Sequence, residues 1–188
     1  MPSAAKAKGN SFERELADHL TKIFGYNFQR TPNSGAYSSF ANAHRRNYLT
    51  PAQNLLASGD LIVPEQLSKF TFECKFYADF SWPKVFSTNK QLDKWIEQAR
   101  NCDKVWFLVI KINRQGAFVC YEHNMFKVPG NYFKYQDCTI VSINDFFEIN
   151  KEIMLSYNNS SPKIEDTHAN ISCTSPLPDV SGLADFLP

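Results

Sequence analysis

Apolar residues spaced three or four positions apart predict two amphipathic helices. The first is expected over 10–24, and Gly25 ends it. The second is expected over 88–101, where Thr88 and Gln91 form a capping box. The residues that line the two apolar faces are Phe12, Leu16, Leu20, Ile23 and Phe24 in the first helix and Leu92, Trp95, Ile96 and Ala99 in the second.

Shorter apolar runs between turn residues predict strands. These runs lie at 26–30, 60–63, 70–76, 105–112, 117–121 and 139–143. The connection 64–69 is typical of a hairpin, so the second and third strands are expected to pair. A last helix is predicted from Asn144 to residue 155, while the basic and aromatic residues at 132–135 are interpreted as a loop. This order of elements predicts an α/β domain with a central mixed sheet flanked by helices.

The composition changes twice along the 188 residues and sets the expected domain organisation. A single domain is predicted over 1–155, with a polar, weakly patterned insertion at 36–58. Residues 156–188 are rich in Asn, Ser, Pro and Thr, which predicts a disordered tail. Because the end of this tail is acidic and also contains Leu183 and Phe186, it is a candidate docking peptide for a protein partner.

Charge, cysteines and hydropathy exclude several classes of protein. The formal net charge is only +1, but the tail is acidic, so the predicted domain is mildly basic and permits a nucleic-acid partner. Five scattered cysteines without a C-x-x-C spacing argue against a zinc site and favour a reducing compartment. The longest apolar run has six residues, and no signal peptide is visible near the start. We therefore expect a cytoplasmic protein without a membrane partner.

A candidate site lies on the second and third predicted strands. Asp60 opens one strand, and Glu73 and Lys75 project from the same face of the next, because alternate residues of a strand share a face. If these strands are neighbours, two carboxylates and an ammonium group meet at a sheet edge. Repulsion between the carboxylates would be relieved by a hard cation such as Mg²⁺ or Mn²⁺.

A simpler interpretation is also open, since an Asp, a Glu and a Lys at this spacing recur by chance in chains of this length. Glu and Lys on a strand commonly form a solvated face with an ion pair. The predicted helices, however, are sufficient to cover both faces of the sheet. Charged residues beneath a helix need a specific reason, which favours a functional site.

The first helix supplies a third carboxylate. Glu13 lies about 50° from the centre of the apolar stripe and can reach the sheet edge, whereas Arg14 and Glu15 face outward. The alternative is that Glu13 only stabilises the helix dipole near the amino end of the helix.

Four sequence blocks, in this order, carry a resemblance to a known family. They are K-G-N-S-F-E-R-E-L at 8–16, R-T-P-N-S-G at 30–35, G-D-L-I at 59–62 and E-C-K at 73–75. Together they resemble the archaeal-type Holliday junction resolvases of the PD-(D/E)XK nuclease superfamily, over roughly residues 8–121.

The resemblance implies a restriction-endonuclease-like fold and a homodimer that cuts branched DNA, the four-way junction, in recombination and repair. The implied catalytic residues are Glu13, Asp60, Glu73 and Lys75. The implied ligands of Mg²⁺ (or Mn²⁺) are Asp60, Glu73, the Cys74 carbonyl and Glu13, and the implied DNA contacts are Lys8, Arg14, Arg30 and Ser34. Lys75 would orient the attacking water and stabilise the transition state.

Two alternatives remain open. The first is another DNA nuclease on the same fold, of a repair, replication or restriction type, because the insertion and the low net charge depart from the resolvase pattern. The second is a nuclease-like module that binds nucleic acid without cutting it. Retention of all four catalytic residues disfavours the second.

Overall fold

A five-stranded mixed sheet with helices on both faces organises the chain in a computed structural model, which describes residues 4–32, 59–78 and 89–157. The helices are α1 (Ala4–Phe24), α2 (Lys90–Arg100), α3 (Phe146–Ile149) and α4 (Lys151–Ser156). The strands are β1 (Gln29–Arg30), β2 (Leu61–Ile62), β3 (Phe70–Tyr77), β4 (Val105–Ile112), β5 (Gly116–Glu122), β6 (Tyr132–Tyr135) and β7 (Cys138–Ser142).

The strand order of the large sheet is β3-β4-β5-β7-β6, with β3 and β4 parallel and the other pairs antiparallel. β3 therefore forms one edge of the sheet. β4 lies beside it and is almost entirely buried, as expected for a strand covered on both faces. This architecture confirms the predicted α/β fold with a central mixed sheet flanked by helices.

Two apolar layers hold the helices to the sheet. One face packs against α1, α3 and α4 through a cluster rich in phenylalanine, and the other packs against α2. The predicted apolar stripe of α2 is confirmed, because all four of its residues are buried. The phenylalanine cluster includes Phe70, Phe72, Phe107, Phe126, Phe146 and Phe147.

Both long helices begin at residues other than those predicted. α1 begins at Ala4, because the Ala and Lys residues at 4–8 are strong helix formers. Residues 6–8 are exposed, so the pattern of apolar positions did not indicate this first part of the helix. The N-cap of α2 is Asn89, whose Oδ1 accepts hydrogen bonds from the backbone N–H groups of Gln91 and Leu92, both over 3.1 Å. Thr88 lies outside the described residues.

The predicted hairpin between β2 and β3 is wrong. β2 pairs antiparallel with β1, and Arg30 is opposite Leu61. The connection to β3 contains a short 3₁₀ helix at Glu65–Leu67. Asp60 nevertheless lies beside β3, because its N–H donates a hydrogen bond to the Phe72 carbonyl over 2.8 Å.

Two predictions near the end of the domain are also wrong. Residues 132–135 form β6, which pairs antiparallel with β7, so they are a strand rather than a loop. The last helix is divided into α3 and α4 at Asn150, and the Asn144 side chain does not cap it. The fully buried Asn150 amide bonds to the backbone N–H and C=O of Lys127 instead.

The folded region extends past residue 155. Tyr157 packs its ring against Phe70 and Phe126, at centroid distances of 5.2 Å and 6.3 Å. The predicted insertion at 36–58 and the rest of the predicted tail lie outside the described residues. None of the helices within the described ranges is long and apolar enough to cross a membrane.

Candidate active site

The candidate site lies at the edge of β3 that does not face β4, and alternate residues of this strand face opposite helices. Phe70 and Phe72 are buried in the layer beneath α1. Glu73 and Lys75 project from the other face, towards α2. Glu73 is buried, and Lys75 is partly buried. The expected shared face of these two charged residues is therefore confirmed.

Asp60 is fixed to this edge by its backbone and by its side chain. Its N–H donates to the Phe72 carbonyl, and its Oδ2 accepts the Cys74 N–H over 2.7 Å. The N–H and C=O of one strand residue point to the same side of the strand. The Cys74 carbonyl therefore faces the same edge as the Asp60 carboxylate.

Gly59 makes this close approach possible. Its φ is +78°, in the region that favours glycine. A Cβ at this position would lie 2.5 Å from Thr71 Oγ1 and 2.7 Å from the Phe72 carbonyl oxygen. A larger residue would push the chain, and Asp60 with it, away from β3.

Glu73, Lys75 and Gln98 form a closed set of hydrogen bonds. Lys75 Nζ lies 2.5 Å from Glu73 Oε1, and Gln98 Nε2 donates to the same oxygen over 2.6 Å. Lys75 Nζ also donates to Gln98 Oε1 over 3.2 Å. Sequence reasoning missed Gln98, because a polar residue on the outer side of an amphipathic helix carries no distinguishing signal.

Glu13 approaches the site from α1 and is paired with a cation. It is buried, and its Oε2 accepts a hydrogen bond from Arg30 Nε over 2.5 Å. Arg30 also donates to Asn10 Oδ1 over 2.9 Å. Arg30, which was expected to contact DNA, is thus directed at Glu13 within the protein, whereas Arg14 and Glu15 face solvent as predicted.

Three carboxyl groups of the site, those of Glu13, Asp60 and Glu73, interact electrostatically. Burial and the charge of Asp60 raise the pKa of Glu73 to about 7, although Lys75 opposes the shift. Burial, followed by the charge of Asp60, also raises the pKa of Glu13, against the opposing effect of Arg30. A site that concentrates negative charge in this way is suited to a cation.

The hard oxygen donors fit Mg²⁺ or Mn²⁺. Within 4–32, 59–78 and 89–157, no three His, Cys, Asp or Glu side chains form a complete ligand group. Mg²⁺ does not require one, since it is commonly held by one or two carboxylates together with waters and substrate phosphates. Asp60 and Glu73 each have one oxygen engaged by protein donors, and no donor from the described residues reaches the other oxygen.

The remaining predicted DNA contacts differ in position. Lys8 and Arg14 are exposed on α1, and Lys8 Nζ lies 6.0 Å from the centroid of the Phe76 ring at the same edge of the sheet. Ser34 lies outside the described residues. Their contact with DNA stays a prediction.

Comparison with family models matches residues 4–165 to a family described as "Phage putative PDDEXK endonuclease". The match spans most of the chain and includes all four predicted catalytic residues. It confirms the nuclease superfamily predicted from the motifs, while its description concerns phage endonucleases rather than archaeal junction resolvases. No curated protein and no solved structure matches the chain.

Proposed function

The chain belongs to this phage PD-(D/E)XK endonuclease family, and from that premise we propose that it is a Mg²⁺-dependent endodeoxyribonuclease that cuts branched DNA. Mn²⁺ would serve in place of Mg²⁺, because both prefer oxygen ligands. The preferred substrate is the four-way junction, cut by a homodimer whose two-fold symmetry presents one site to each of two strands.

The single observation that carries the proposal is the convergence of Asp60, Glu73 and Lys75 at the edge of β3 that does not face β4. Asp60 is joined to the strand by the Cys74 N–H, and Lys75 is 2.5 Å from Glu73. Burial and the charge of Asp60 raise the pKa of Glu73, and a charge cluster of this kind is typical of a site whose function needs it. Cation binding for phosphodiester hydrolysis is such a function.

The proposed metal ligands are Asp60, Glu73 and the Cys74 carbonyl, with Glu13 contributing from α1. When bound, the ion neutralises charge on the reacting phosphate and makes a water more acidic. The ammonium of Lys75 is placed to stabilise negative charge on the phosphate and to orient the water that attacks it. Arg30 holds Glu13 at the site, since the two side chains are paired directly.

The resemblance at 8–16 and 30–35 supports the finer assignment to branched DNA. Lys8 and Arg14 would contact the DNA backbone from the exposed face of α1, where their charge is available to phosphates. The resemblance also implies DNA contacts for Ser34 and for the remaining donors of Arg30.

A second candidate function is cleavage of DNA without preference for branches. The family description favours it, because it specifies an endonuclease and no branched substrate. This candidate shares the catalytic residues and the metal with the first and differs only in substrate.

One assay separates the two candidates. The purified chain is incubated with Mg²⁺ and four-way, three-way, flap, linear duplex and single-stranded DNA of matched sequence, with Lys75→Ala as the inactive control. Symmetric nicking of the four-way junction well above that of linear duplex supports a resolvase. Equal cutting of all duplex substrates supports the second candidate, and no cutting of any substrate refutes both.

A further inference from the structure

The side-chain amide of Gln98 lies between the two charged groups of β3, Glu73 and Lys75. We propose that Gln98 is a positioning residue, which fixes the carboxylate of Glu73 and the ammonium of Lys75 relative to each other for the reaction. This inference rests on the proposed nuclease function. None of the recognised sequence blocks includes Gln98, since they end at residue 75.

The geometry requires a group that donates and accepts at once. Gln98 Nε2 donates to Glu73 Oε1 over 2.6 Å, while its Oε1 accepts from Lys75 Nζ over 3.2 Å. A primary amide has both functions at adjacent atoms, whereas a carboxylate only accepts and an ammonium only donates. Glu at position 98 would therefore repel Glu73, and Lys would repel Lys75.

The first consequence concerns the orientation of Glu73. Both of its described donors, Lys75 and Gln98, bind Oε1. Two donors on one oxygen fix the plane of the carboxylate and direct Oε2 away from them. That second oxygen is then in a constant position from which to hold a cation.

The second consequence concerns Lys75, whose ammonium has three N–H donors. Two of them are directed at Glu73 Oε1 and Gln98 Oε1. These two bonds restrict rotation of the side chain and leave the third N–H for the substrate. Without Gln98, the ammonium would be held by one acceptor and would occupy several orientations.

Packing does not account for Gln98. The residues of α2 that contact the sheet core are Leu92, Trp95, Ile96 and Ala99, and Gln98 lies outside this stripe with its surface exposed. Gln98→Ala leaves this apolar stripe intact, and Glu73 Oε1 keeps the bond from Lys75. Thermal unfolding of Gln98→Ala, compared with that of Gln91→Ala, separates a loss of cleavage at the site from a loss of the fold.

The test compares Gln98→Ala with Gln91→Ala, a matched control. Gln91 is also exposed on α2 and lies two turns away, about 10 Å along the helix axis. We expect Gln98→Ala to lower the single-turnover cleavage rate about 10- to 100-fold at saturating DNA. DNA affinity in Ca²⁺ should stay within two-fold, and calorimetry without DNA should show weaker Mn²⁺ binding. Gln91→Ala should match the wild type in all three measurements.

A spectroscopic readout separates this inference from the proposed function. The ¹⁵N signal of the Lys75 ammonium, assigned by its loss in Lys75→Ala, should persist in Gln91→Ala and broaden or vanish in Gln98→Ala. If the wild type cuts no DNA but the signal still depends on Gln98, the nuclease function fails, while the placement of Lys75 by Gln98 stands. Wild-type cleavage by Gln98→Ala, or an unchanged Lys75 signal, would overturn the inference.

Discussion

The Cys74 N–H donates a hydrogen bond to Asp60 Oδ2 over 2.7 Å, at the edge of β3 that does not face β4. This bond joins a loop carboxylate to the strand that carries Glu73 and Lys75. The Cys74 carbonyl faces the same edge, since both backbone groups of a strand residue point to one side. The candidate site is thus assembled by backbone geometry as much as by side chains.

Substitution of Gly59 tests this dependence on the backbone. Gly59→Ala combines a positive φ with a contact of 2.7 Å to the Phe72 carbonyl, so the chain must shift at Asp60. We expect a loss of at least about 2 kcal/mol in the free energy of unfolding and loss of cleavage. The control is Gly25→Ala, which has a φ of +75° and no atom within 4 Å. Gly25→Ala should lower the free energy of unfolding by about 1–2 kcal/mol and should still cut DNA normally. Equal losses of activity in both variants would contradict this dependence on the backbone.

Glu73→Gln is expected to stabilise the protein at high pH. The folded protein raises the pKa of Glu73 from 4.5 to about 7, so it binds more protons than the unfolded chain between these values. Stability therefore falls as the pH rises through this window. Without divalent ions, the free energy of unfolding of Glu73→Gln should exceed that of the wild type by roughly 1–3 kcal/mol at pH 8 and by much less at pH 4.5.

The control for this prediction is Glu97→Gln, on the exposed side of α2. Thermal unfolding of both variants and the wild type, each at pH 4.5 and pH 8 in EDTA, gives the comparison. A destabilising effect of Glu73→Gln at pH 8 would mean that pairing with Lys75 outweighs burial and repulsion by Asp60.

Arg30 and Lys8 should differ when each is replaced by Ala. Arg30→Ala leaves the buried Glu13 without its partner, so we expect a loss of about 1–3 kcal/mol in stability in addition to weaker DNA binding. Lys8→Ala removes an exposed charge and should leave stability unchanged while it reduces the salt dependence of binding by about one charge. Denaturant titration and gel shifts at several salt concentrations measure both. Equal stability of the two variants would show that the Arg30–Glu13 pair contributes little.

The sequence was sufficient to predict the elements whose burial is periodic. The stripe of α2, the course of β4 and the inward position of Glu13 all follow from residue spacing, and the structure confirms them. The shared face of Glu73 and Lys75 follows from the alternation of a strand in the same way.

Pairing and capping partners could not be predicted, because they depend on contacts between distant residues. β2 pairs with β1, so the short connection to β3 was misleading. The exposed aromatic Tyr132 obscured the alternation of β6, and the role of Asn150 depends on the backbone of Lys127. Gln98 is recognisable only once α2 is placed over β3.

Truncation tests where the folded domain ends. Tyr157 packs on Phe70, so removal of residues 156–188 should lower the melting temperature by several degrees, as should Tyr157→Ala in the full chain. Removal of residues 158–188 only should have little effect on fold or cleavage, because this segment has few large apolar residues. Tyr157→Phe keeps the ring and is the control. A large loss of stability on removal of residues 158–188 would contradict the predicted tail.

The most direct test of the central claim is cleavage of a four-way junction in Mg²⁺ by Asp60→Asn. This substitution keeps the size of the side chain but removes a charge from the proposed metal site, and Asp103→Asn is the matched control at an exposed position. We expect Asp60→Asn to lose cleavage by at least about 1,000-fold. It should bind the junction in Ca²⁺ as well as the wild type or better, because one repulsive charge is gone. Cleavage by Asp60→Asn at a rate near that of the wild type would contradict the assignment of the active site and the nuclease function that depends on it.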